Sequence, residues 1–271
     1  MTADPLFDRA WTHLKVVRDG PIATVTLHRP DARNALNTAL MGELTEVAVL
    51  LRRRADILAV LLTGAPSYFS AGADLGGVQA RASAPTLLET RQAVMAGPDM
   101  CEAWEQVEAV TIAAIEGYCV GGGCALVVAC DFRILGEGAY LRLPEVPLGI
   151  NMSWRSVPRL VALAGPARAK RFVMFGDATD AATCLAWGMA DEMVPAGGAL
   201  AAARAWADRV AALPPLPVRM TKEQVNMTSG PSNLALSYMD RDQYLLTSRT
   251  SDFREGVDAF FSKRNPAFRG D

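Results

Sequence analysis

The chain has 271 residues, of which 51% are hydrophobic and 21% charged, and a formal net charge of −2. That length and apolar content suit one large domain, or a domain with a subdomain, around a sizeable core. The near-neutral balance gives no electrostatic reason to expect nucleic acid or an anionic membrane as a partner.

Five cysteines, at 101, 119, 124, 130 and 184, fit no C-x-x-C pattern, and the two histidines, His13 and His28, both lie near the start. Reduced, buried thiols in a cytoplasmic protein are therefore expected, with no metal site. The first residues hold neither a basic nor an apolar leader, so no secretory signal is expected. The uncharged run Gly117–Cys130 is too short and glycine-rich to span a bilayer.

In chain order, Leu14–Arg18, the turn dipeptide Asp19-Gly20 and Ile22–Leu27 predict a β-hairpin. Asn37 or Thr38 caps a helix to about Arg54, with Leu40, Leu44, Val47, Leu50 and Leu51 on one face. Leu58–Thr63 is a continuous apolar run, as in a strand buried on both faces. Gly64–Leu75 reads as loop, and Ala80–Val107 as helix interrupted at Pro85 and Gly97-Pro98. Thr111–Ile115 is a strand, Gly121–Ala129 a helix, and Phe132–Leu135 and Tyr140–Leu143 are short strands. From Val157 helices dominate, and Leu200–Lys263 is helical apart from Pro214, Pro215 and Pro217, which mark a hinge. Strand–helix alternation followed by a helical tail predicts an α/β core with a C-terminal helical subdomain.

Two glycine-containing corners stand out, Phe69-Ser-Ala-Gly-Ala-Asp-Leu75 and Val120-Gly-Gly-Gly123. Bare backbone N–H groups at such corners can hold a developing negative charge, and two adjacent corners could aim one N–H each at a single oxygen. Taken singly, each is more readily read as an ordinary turn, because glycines at helix starts are common. A P-loop signature and a G-x-S-x-G elbow are absent, and glycines 117–123 miss the G-x-G-x-x-G register. With two histidines, a Ser-His-Asp hydrolase is disfavoured, which leaves carboxylates as the acid–base groups.

Together the two corners resemble the enoyl-CoA hydratase/isomerase (crotonase) family. The likeness continues through Cys130-Asp-Phe-Arg133, Pro144-Glu-Val-Pro-Leu-Gly149, Ala186-Trp-Gly-Met-Ala190 and Glu255–Arg264, so it spans nearly the whole chain in order. It implies a superhelix of ββα repeats over residues 1–200. It also implies a helical region over 201–271 that serves assembly into a homotrimer or a dimer of trimers. The implied substrate is an acyl-CoA thioester, with coenzyme A part of the substrate and no separate cofactor. By motif position, the N–H groups of Ala73 and Gly122 would receive the thioester oxygen, and Glu145 would be the catalytic carboxylate. Arg33, Ala35, Ala71 and Leu75 would lie along the ligand, Asp74, Tyr118, Val120, Gly121, Pro144 and Leu148 would also bind the substrate, and Asp74 reads as a helix-start residue rather than a catalyst. Phe260 and Lys263 match positions that reach the nucleotide. The segment 80–107 is expected to line the acyl pocket, and Asp131 and Arg133 to form a structural pair.

The departures from the family pattern matter most. Family hydratases carry two glutamates, and the first falls here on Ala125, which moves no proton. Other branches place an aspartate after Gly149, where this chain has Ile-Asn-Met-Ser-Trp-Arg155 with no acid. Trp154 and Arg155 either reshape the acyl pocket or merely pack. Three readings survive: a one-glutamate enoyl-CoA isomerase, which the missing acid favours; a hydratase using Glu145 alone or with Ser153 or Asn151 holding water; and a non-catalytic acyl-CoA-binding or assembly subunit.

Overall fold

The computed structural model describes residues 4–74 and 86–271, and of residues 229–234 the backbone alone. Leu14–Asp19 (β1) and Ile22–Leu27 (β2) form the expected hairpin, and Thr38–Arg52 (α1) follows, capped by the Asn37 side chain on the Leu40 N–H. Ala59–Thr63 (β3) is buried along its whole length.

From β3 onward the chain alternates between two sheets. Tyr68–Ser70 (β4) belongs to the second sheet, and Leu87–Ala93 (α2) and Ala96–Glu105 (α3) lead back. Val110–Ile115 (β5) joins the first sheet, Tyr118–Val120 (β6) the second, and Gly122–Val127 (α4) closes that turn. Phe132–Gly136 (β7) and Tyr140–Arg142 (β8) repeat the step, followed by Ser156–Ala164 (α5) and Pro166–Phe175 (α6). Thr179–Asp180 (β9), Ala181–Trp187 (α7) and Glu192–Val194 (β10) end the alternation. Among the described residues the first sheet runs β1-β2-β3-β5-β7-β10 and the second β4-β6-β8-β9. Successive turns of strand, strand and helix therefore stack in parallel register, which is the repeated ββα winding expected.

The first sheet is covered on both faces, as its apolar runs require. Val60, Leu62, Ala113 and Ile115 face one core, while Ala59, Leu61, Ile112 and Ala114 face the other. That second core is closed by Ala199–Ala211 (α8), whose Ala199, Ala203 and Ala207 recur every fourth residue and let the helix lie close. The boundary expected at residue 200 thus falls inside a helix packed on the first sheet.

Pro215–Leu236 (α9), Asp240–Thr247 (α10) and Ser251–Phe261 (α11) complete the chain. Pro215 and Pro217 occupy the first turn of α9, where a missing N–H costs nothing. Arg219 caps the Arg54 and Ile57 carbonyls, and Lys222 reaches Asp131 at 2.6 Å, so the proline segment is anchored to the core on its far side.

Local expectations fail in three places. Gly64–Leu75 contains β4, and β6 was not anticipated, because three-residue strands carry no readable period. What marks them is lateral: Tyr68, Tyr118 and Tyr140 stand in register on neighbouring strands, their rings 5.7 and 6.2 Å apart. Gly97-Pro98 starts α3 instead of breaking a helix; the stretch 80–85 lies outside the described residues. Asp131 and Arg133 form no ion pair with each other, although Arg133 Nη2 donates to the Asp131 backbone carbonyl (3.2 Å). Asp131 binds Lys222 and Thr111, and Arg133 binds Asp191 at 3.0 Å.

Candidate active site

Parallel pairing of β4 with β6 brings the two glycine corners side by side. Gly72 and Gly121 both have positive φ, at 92° and 52°. A Cβ on Gly72 would meet the Val120 carbonyl oxygen at 3.0 Å. One on Gly121 would meet Glu145 Oε1 at 2.8 Å, so both positions need a bare Cα for conformation and for space.

The hydrogen bonds around the first corner single out one donor. Ala71 N–H donates to Arg33 O (3.1 Å), Gly72 N–H to Ser70 Oγ (3.1 Å) and Asp74 N–H to Leu36 O (3.1 Å). Ala73 N–H donates in none of the described hydrogen bonds. At the second corner Gly121 N–H donates to Arg142 O (2.8 Å), and Gly122 N–H, at the start of α4, again donates in none. The Ala73 and Gly122 N–H groups lie on adjacent corners that line one cavity, an arrangement that can offer donors to an oxygen gaining charge.

Asn34 braces this arrangement and was not singled out from the sequence. It is buried, its Nδ2 donates to Phe69 O (3.0 Å), and its Oδ1 accepts from Arg29 N–H (2.8 Å). Its carbonyl accepts from Ser70 Oγ (2.8 Å). Asn34 holds φ 55° beside Arg33 at 51°; Trp154 and Arg155, at 63° and 55°, form a second such pair. Left-handed non-glycine residues cost about 1–2 kcal/mol each and collect at ligand sites.

Glu145 follows β8 and lines a cavity of about 330 Å³. The residue is half-buried overall, but Oε2 is shut off from solvent with no hydrogen-bond partner. Burial pushes its carboxyl up from 4.5 to about 7, against the pull of its own backbone N–H and the Arg142 charge. Both protonation states are populated near neutral pH, which suits a group that gives and takes protons.

The cavity brings together most of the residues named from the sequence. Arg33, Ala71, Ala73, Tyr118 and Val120 line it, as do Gly121, Gly122, Pro144, Leu148 and Phe260. Val94 and Pro98 line it too, from the segment expected at an acyl pocket. Three named residues stand apart. Ala35 is held by Arg29 through its carbonyl, Asp74 forms an ion pair with Arg29 at 2.8 Å, and exposed Lys263 lies just past α11. Leu75 lies outside the described residues.

Ala125 is fully buried on α4 and does not border the cavity. Asn151 and Ser153 do border it, although the Asn151 side chain already donates to Gln243 Oε1 at 3.1 Å. Tyr244 and Arg241 of α10 and Phe253 of α11 close the cavity from the C-terminal helices, which sequence periodicity did not foreshadow.

The sequence profile of the enoyl-CoA hydratase/isomerase family matches residues 18–271. The chain belongs to that family. As a member it is an enzyme that handles acyl-CoA thioesters. It is 31% identical over 262 residues to the 2,3-dehydroadipyl-CoA hydratase of Escherichia coli K12, covering 96% of this chain and 99% of that one. It is 35% identical over 251 residues to a probable enoyl-CoA hydratase of Mycobacterium leprae, covering 91% and 94%. The crystal structure of an enoyl-CoA hydratase/isomerase from Pseudoalteromonas atlantica superposes with a TM-score of 0.85 at 25% identity, over 95% of this chain and all of that one. The crotonase winding read from the sequence is thus the fold.

Proposed function

We propose that this family member is an enoyl-CoA hydratase that works with a single carboxyl group. The observation that carries it is the Glu145 carboxyl: Oε2 buried and unpartnered, half-protonated near neutrality, in the cavity that the Ala73 and Gly122 N–H groups border. The relatives named as hydratases support the same reading.

The thioester oxygen sits between the two N–H groups, which strengthen their hold as it becomes enolate-like. Neutral Glu145 passes its proton to C2 from one carboxyl oxygen. Water bonds to C3 through its oxygen and gives a proton to the other carboxyl oxygen. Water is thereby added across the double bond and Glu145 ends protonated, ready for another turn. Arg33, Ala71, Leu148 and Phe260 flank the coenzyme A arm in this reading, and residues 201–271 mediate a homotrimer or a dimer of trimers.

The buried Ala125 favours a second reading. With no second carboxylate, Glu145 could take a proton from C4 of a 3-enoyl chain and return it at C2, which is isomerisation. Presenting 2-enoyl-CoA and 3-enoyl-CoA side by side, with Glu145→Gln as control, separates the two. Rapid loss of 2-enoyl absorbance in water, abolished in the variant, upholds hydration. Conversion of the 3-enoyl substrate alone favours the isomerase, and binding without turnover of either removes both.

A further inference from the structure

The indole of Trp154 bridges the starts of two helices. A Cβ on Gly97, in α3, would stand 2.1 Å from its Cε2, and a Cβ on Gly122, in α4, would stand 2.2 Å from its Cζ3. Non-bonded carbons keep about 3.5–4.0 Å apart, so only a bare Cα on each side admits the ring. The five-membered half of the indole faces Gly97, and the six-membered half faces Gly122.

The ring is held there from behind. Arg155 N–H donates to Asp240 Oδ2 (2.9 Å), and its guanidinium pairs with Glu102 at 2.7 Å. Arg159 donates to the Arg155 carbonyl (3.1 Å) and pairs with Glu105 at 2.7 Å. Glu102 and Glu105 lie on α3, the helix that also carries Gly97. The backbone that presents the indole is therefore tied to the helix that seats it.

Gly122 supplies one of the two N–H groups, and the ring lies on that residue's Cα. Trp154, Val94 and Pro98 line the same cavity as Glu145. An acyl chain whose carbonyl is held at Gly122, and which runs away from Arg33 and Ala71, meets the indole soon after its reacting carbons.

We propose that Trp154 is the specificity-determining residue for acyl length, a fixed stop that admits short acyl groups and refuses long straight ones. The proposal rests on the acyl-CoA reading of the site. Its test is calorimetric binding of two saturated thioesters that need no turnover, butanoyl-CoA and decanoyl-CoA. An open apolar pocket would bind the longer chain more tightly, because each buried methylene adds to affinity. The wild-type protein should reverse that order, holding butanoyl-CoA at least tenfold more tightly. Trp154→Ala should tighten decanoyl-CoA at least tenfold, and Trp154→Phe by less, each variant being checked for native circular dichroism. Should the alanine variant fail to fold, the wild-type order and the phenylalanine variant still decide. Equal or tighter binding of decanoyl-CoA by the wild type, or no change in the ratio in the variants, overturns the stop while leaving the acyl-CoA reading intact. If neither thioester binds, that reading falls and the proposal falls with it.

Discussion

Replacing Glu145 by glutamine keeps the shape of the side chain and removes its proton chemistry, so activity and stability should move in opposite directions. Loss of a general acid–base group typically costs 10²–10⁴ in rate, about 3–5 kcal/mol of barrier. The stability effect follows from burial. The carboxyl is pushed from 4.5 to about 7, so between those values the folded protein binds a proton that the unfolded chain has released. Stability from this group is full below about pH 4.5 and is lost as pH rises through about 7. At 1.36 kcal/mol per pH unit, the loss amounts to about 3 kcal/mol. Glutamine does not titrate, so the stability of the variant relative to wild type should rise by about that amount between pH 5 and pH 8. The readout is urea unfolding of both proteins at several pH values, alongside steady-state rates. Parallel stability curves across that window would refute the buried, uncompensated carboxyl, and an unchanged rate would refute its catalytic role.

The pH dependence of kcat/KM separates the two chemistries: a neutral Glu145 that donates to C2 predicts a rate falling above about pH 7, whereas a carboxylate base for isomerisation predicts a rise through it. Ala125→Glu places an unpaired carboxylate in the core beside no cavity, and should cost about 3–5 kcal/mol in chemical unfolding without improving hydration. Asn34→Ala orphans the Phe69 carbonyl and the Arg29 N–H, so about 2–3 kcal/mol of stability should go, with a larger proportional loss in kcat than in substrate affinity. Gly122→Ala drives a Cβ into the indole and should destabilise by about 1–3 kcal/mol. Combining it with Trp154→Ala should recover most of that cost, and additive losses in the double-mutant cycle would deny the contact.

Much of the fold was legible because its signals are local. The Asp19-Gly20 turn between β-rich runs specified the hairpin, Asn37 capped α1, and the unbroken apolar run of β3 announced a strand covered on both faces. The strands β4 and β6 were invisible, since three residues cannot show a period, and their partners lie about fifty residues away. Gly97-Pro98 was misread because a proline in a first turn and a proline in a helix interior look alike until the helix start is known. The Asp131 and Arg133 side chains were paired because they are close in sequence, whereas their ionic partners, Lys222 and Asp191, lie 91 and 58 residues further along the chain.

The corner glycines, Glu145 and the missing acid at Ala125 stand in the chain itself, because backbone geometry and side-chain chemistry are properties of single residues in order. Whether Ala73 and Gly122 face one oxygen, how far the Glu145 carboxyl is raised, and what lies between Gly97 and Gly122 depend on distant segments converging. Burial, not identity, makes Glu145 half-protonated, and close packing of two bare Cα atoms makes room for Trp154. Desolvation and steric fit are sums over neighbours in space, so they exist only once the two sheets and the C-terminal helices have come together.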